Sequence, residues 1–220
     1  MDRRDPWREI IEGGRGAPPR YSIVILACLV GTLIVGMFEE SQPWLDWLRL
    51  GPELWERGCV WKLVTYAFVS YGGVGLKTIL PIALIYWFST ELEGWIGRDR
   101  TRMLILVGVP LAGALAAGGQ LAAASVGLAP CKHPFWMMQG QQVLLALVVG
   151  AYAACNRRAA LKRLQFLFGL TIPSRWLVWV QLGWALMAFA STRDVAGFIG
   201  IATATGWGWW VAIRAEMSRT

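Results

Sequence analysis

Residues 21–38 read YSIVILACLVGTLIVGMF, eighteen positions without a single charge. A bilayer core takes about 17–25 mostly apolar residues per helix, so this run decides the class of fold. Five further apolar runs follow at roughly 76–92, 103–126, 135–155, 176–190 and 195–213. The composition agrees: 56% of the 220 residues are hydrophobic and 16% charged, and mean hydropathy is +0.47. A soluble domain carries about 25% charged residues. The 14 Trp and 25 Gly point the same way, since both types are enriched in membrane helices and at their interfaces. The expected fold class is an all-α integral membrane protein of six helices.

A net charge of +7 and a pI near 9.6 would raise nucleic-acid binding if the cations formed a soluble face. They fall between the apolar runs instead, so no nucleic-acid partner is expected. Arg3, Arg4, Arg8, Arg15 and Arg20 precede the first run, and Arg98, Arg100 and Arg102 follow the second. Arg157, Arg158, Lys162, Arg163 and Arg175 follow the fourth, and Arg214 and Arg219 follow the sixth. Fifteen of the 21 basic residues thus collect on one side. The positive-inside rule makes that side cytoplasmic, and an even number of spans returns both termini to it. The organisation expected is a basic cytoplasmic tail over 1–20, a membrane domain over 21–213 and a short cytoplasmic tail over 214–220, with the first helix acting as an uncleaved anchor.

The long outer segment 39–75 carries Trp44, Trp47, Trp55 and Trp61 among Leu48, Leu50 and Leu54. Two readings fit, amphipathic structure lying in the interface and a small core within the loop. Cys59 and Cys131 fall outside, where a disulfide is permitted, and spacing leaves their pairing open. Cys28 and Cys155 read as inert filler within helices. There is no CxxC, HExxH or His cluster, so neither a metal nor another cofactor is expected.

Small residues recur every four positions on two runs, as Ala146, Gly150 and Ala154 on the fourth and Ala196, Gly200, Ala204 and Gly208 on the sixth. In lipid such stripes supply association by close backbone approach, so these two helices are expected to pack tightly. Polar residues crowd one leaflet: Lys77, Gln139, Gln141, Gln142 and Asp194. They read either as snorkelling side chains or as the lining of a hydrated cavity open to the outside.

From about Trp61 to its C-terminus the chain resembles the rhomboid superfamily of intramembrane serine proteases and their inactive relatives. Trp61-Lys62 with Thr65-Tyr66-Ala67-Phe68 is similar to that family's Trp-Arg-x-x-Thr-Tyr-x-Phe element. Leu92-Glu93 with Gly97 and Arg100 is similar to its Leu-Glu-x-x-x-Gly-x-x-Arg element. Gly150-Ala151-Tyr152 and Ala196-Gly197-Phe198 with Gly200 resemble elements of its fourth and sixth helices. The resemblance implies a six-helix bundle with a long interfacial loop between helices one and two.

It also locates the family's chemistry, which needs a Ser nucleophile, a His base and a His–Asn pair that stabilises the oxyanion. The Ser position is Gln142, the base position Asp194, and the His and Asn positions Lys77 and Pro81. All four have changed. No Ser or Thr lies between 135 and 155, and the one His, His133, sits in the outer loop. The expectation is therefore an inactive member in which Lys77 and Asp194 form an ion pair and Gln142 hydrogen-bonds one of them. Inactive relatives of this family bind transmembrane segments of client proteins, and client helices and the lipid bilayer are the expected partners, in a bacterial inner membrane. The alternatives from the same residues are a structural subunit of a larger membrane complex, whose helices would then be the partners, and an intramembrane protease with atypical residues.

Overall fold

The apolar runs fold as helices because no water is present in the bilayer core to satisfy free backbone groups. In the computed structural model, which describes residues 20–51, 57–69, 75–127, 140–156 and 173–217, no β-strand occurs among those residues. The helices are α1 (Arg20–Val35), α2 (Gln42–Leu48), α3 (Lys62–Thr65), α4 (Leu76–Ile96), α5 (Arg98–Ser125), α6 (Gly140–Cys155), α7 (Arg175–Thr192) and α8 (Val195–Met217). Single 3-10 turns cover Glu39–Ser41 and Tyr66–Phe68.

By length and composition, α5 and α8 each suffice to cross a membrane. A third candidate joins α1 to the Glu39–Leu48 segment across a bend of 115°. The chain is therefore a helical membrane protein. The first helix stops at Val35 rather than running to 38, and hydrogen bonds account for it. Ser41 Oγ donates to the Val35 carbonyl at 2.7 Å and Gln42 Nε2 to that of Gly36 at 3.1 Å. These side chains satisfy carbonyls that a continuing helix would otherwise use. The last helix continues past 213 to Met217, so the short tail expected from 214 begins in helical form. Of the sequence-derived segments, the tail at 1–19 and the residues 135–139 lie outside the described residues, as do Gln139, Cys131 and His133.

The core gathers around α6. Every residue from Val143 to Ala154 is buried, so this helix is enclosed by protein on all faces rather than by lipid. Its most extensive partner is α8, with α4, α7, α5 and the Tyr66–Phe68 turn completing the enclosure. Aromatic contacts seat α4 on its lower half, with Phe88 4.6 Å and Trp95 5.5 Å from the Tyr152 ring. α5 packs along the other side of α8. Trp47 and Trp61 meet at 5.1 Å on the loop between α1 and α4, and both remain exposed.

Candidate functional site

The Leu92–Arg100 stretch is where four helices are tied together. Glu93 is buried at the end of α4, and its carboxylate accepts from Ser22 Oγ at 3.0 Å and from the Ser22 backbone N–H at 3.3 Å. The first N–H groups of any helix lack internal partners, and negative charge is favoured there; Glu93 supplies both needs for α1 from another helix. Arg98 Nε lies 3.8 Å away as a counter-charge. Gly97 joins α4 to α5 in one residue at φ 85°, a left-handed value that favours glycine. Arg100 Nη1 then reaches the Ala215 carbonyl at 2.8 Å, near the end of α8. Of the other motif residues, Lys62 is buried at the start of α3 and Trp61 is exposed beside it. Tyr66 donates its hydroxyl to the Val109 carbonyl at 3.1 Å, holding this loop on α5.

Small residues let α6 and α8 meet backbone to backbone. A Cβ at Gly150 would lie 2.3 Å from the Thr205 carbonyl oxygen, and one at Gly208 would lie 2.2 Å from that of Leu147. Ala146, Ala154, Ala196, Gly200 and Ala204 are all buried. Gly140 opens α6 directly under the loop, where a Cβ would overlap the Tyr66 carbonyl.

Among the described residues no hydrogen bond or ion pair joins Lys77, Gln142 and Asp194, three of the positions to which the resemblance assigns the catalytic groups. Lys77 is exposed in the first turn of α4, and Pro81 is buried four residues on. Proline has no N–H, so the Lys77 carbonyl lacks its usual partner at 81. Gln142 is half-buried in the first turn of α6. The expected Lys77–Asp194 ion pair does not form, and Gln142 hydrogen-bonds neither residue, among the described residues. The reason is local. The first N–H groups of a helix lack partners within it. At the start of α8 the Val195 N–H donates to the Arg193 carbonyl at 3.0 Å, while Asp194 Oδ1 accepts the Gly197 N–H at 2.9 Å. This is the hydrogen bond of an N-capping Asp. The other oxygen curls over Gly197 so closely that a Cβ there would sit 2.3 Å from it. Burial raises the Asp194 carboxyl above its ordinary range, with the Gly197 N–H pulling in the opposite direction.

Two buried amides carry more of the polar burden than the sequence indicated. Gln141 is 1% and Gln120 3% exposed, and among the described residues the Oε1 of each has no partner. Gln141 was among the polar residues noted at the head of the fourth run. Gln120 was missed, although it is the lone amide in an Ala- and Gly-rich stretch on α5. Cys59 is a buried free thiol, and Cys28 is exposed on α1. Among the described residues no group of three His, Cys, Asp or Glu could hold a metal ion.

Chemically, the first turn of α6 offers an amide and backbone donors, and the head of α8 offers a carboxylate already committed to its own helix. A hydroxyl needs a neighbouring base to become a nucleophile, and neither member of such a pair stands at these positions. No family model matches the chain, and no curated protein matches it.

Proposed function

We propose that this chain is a catalytically inactive rhomboid-like membrane protein that binds transmembrane segments of client proteins. In this reading α1, α4, α5, α6, α7 and α8 are the six spans. Both termini face the cytoplasm of a bacterial inner membrane. The observation that carries it is the state of the two positions on which rhomboid proteolysis depends. Gln142 occupies the nucleophile's place, and an amide is neither nucleophile nor base at neutral pH. Asp194 occupies the base's place and is engaged in capping α8. The enclosure of α6 and the Glu93–Gly97–Arg100 tie support the bundle. A half-buried Gln142, able both to donate and to accept, supports recognition of a polar backbone group in a client helix.

A photo-crosslinking amino acid in place of Gln142, activated in intact membranes, tests the reading. Several membrane proteins captured at low stoichiometry are expected. A single partner captured at a fixed one-to-one ratio would favour the structural-subunit reading. One observation favours that alternative: α7 turns Trp176, Trp179, Trp184 and Met187 outward, each more than half exposed. Trp prefers the interfaces, whereas Trp184 lies midway along an 18-residue helix. Labelling of any serine by a fluorophosphonate would instead revive the atypical protease.

A further inference from the structure

At the end of α8 opposite Asp194, three side chains form a ladder along the helix. Trp207 lies over Gly108 of α5, in contact distance of the position a Cβ would occupy. Trp210 stacks on Trp207 with ring centroids 4.9 Å apart and an interplanar angle of 29°. The guanidinium of Arg214 sits 4.5 Å from the centre of the Trp210 ring. Trp210 and Arg214 are exposed.

Depth fixes what this ladder faces. At 1.5 Å per residue Arg214 lies about 29 Å along α8 from Val195, the thickness of a hydrocarbon core. With Val195 at the opposite interface, this length brings the guanidinium to head-group level and leaves Trp210 about one turn deeper. Stabilising the helix end does not explain Arg214, because Arg100 already donates to the Ala215 carbonyl there. Arg214 instead runs back over Trp210, and among the described residues it forms no ion pair. The nearest carboxylate in sequence, Glu216, lines a pocket with Trp95, Ile96, Cys155 and Asn156. Arg102, also exposed, lies in the first turns of α5 at the same end of the bundle.

We infer that the Trp210–Arg214 ladder binds the phosphate of an anionic phospholipid in the adjoining leaflet. A guanidinium seated over an aromatic ring retains N–H donors for another partner, and its planar fork matches two phosphate oxygens. Arg100 and Arg102 add positive potential that an anionic head group lowers and the ammonium of a zwitterionic one does not.

The test is native mass spectrometry of the full chain released from nanodiscs of phosphatidylglycerol and phosphatidylcholine. The wild type is expected to retain phosphatidylglycerol in preference to phosphatidylcholine. Arg214→Gln should weaken that retention roughly tenfold, the loss of one charge-assisted contact. Arg193→Gln, an exposed cation at the other end of α8, should leave it unchanged. Should Arg214→Gln fail to fold, Trp210→Leu keeps the charge and is expected to show the same direction of loss. Equal retention by both variants and the wild type, equal retention of the two lipids, or displacement by soluble glycerol phosphate at millimolar concentration would overturn the assignment.

Discussion

Asp194 has a backbone N–H three residues ahead and a helix of 23 residues to start, and that local need outweighs a distant lysine. Its carboxyl is raised by burial. The folded state therefore holds the proton more tightly than the unfolded one. Stability from this group is present below the ordinary carboxylate range and is lost as pH rises through the raised value. Asp194→Asn keeps a good N-cap without the titrating proton. The variant is expected to unfold at higher temperature than the wild type at pH 7 and at the same temperature near pH 4, in thermal unfolding followed by circular dichroism. Asp194-Val-Ala-Gly197 was readable as a cap from sequence alone, because Asp before an apolar helix is a start signal. The ion pair was the weaker reading, since it required two residues 117 positions apart to be brought within reach. Gln120 and Gln141 show the opposite limit: composition places an amide in an apolar run, but only packing decides whether it is sealed in.

Between elements, the α6–α8 contact depends on the absence of side chains. Gly208→Ala places a methyl 2.2 Å from the Leu147 carbonyl oxygen and must push the helices apart. An overpacking cost of about 1–3 kcal/mol is expected, measured by denaturant unfolding in detergent. Gly206→Ala on the same helix meets nothing within 4 Å and should be neutral or slightly stabilising. The Glu93 clasp is the second such test. Glu93→Ala strands the Ser22 hydroxyl and N–H, at a cost of about 1–3 kcal/mol, whereas Glu93→Gln keeps an acceptor and should lose less. Gly97 stood out only as part of a motif and its left-handed turn came from the structure, whereas the small-residue stripes were visible in the sequence because spacing and residue type alone define them. The partner of Glu93 was not, since nothing in a linear pattern says that Ser22 will lie beside it. Nor was the end of α1 at Val35, which depends on Ser41 and Gln42 folding back onto its last carbonyls.

For the whole molecule, charge distribution and helix order make a topological prediction. In right-side-out cells Asp46→Cys, in the Cys-free background, should react with a membrane-impermeant maleimide. Glu216→Cys should react only after the membrane is opened. Reaction of both in intact cells would place the ends of α2 and α8 on one side and refute the six-span reading. The helical membrane class was legible from hydropathy, because eighteen uncharged residues admit few other uses. The enclosure of α6 was not, since a lipid-facing helix and a protein-enclosed one share the same composition. The central claim is that the bundle holds transmembrane segments without cutting them. Its most direct test is to incubate the purified chain in liposomes with single-span peptides and weigh the peptides recovered. Saturable binding with every peptide at its intact mass is the predicted result; shortened peptides, or no saturable binding, would contradict it.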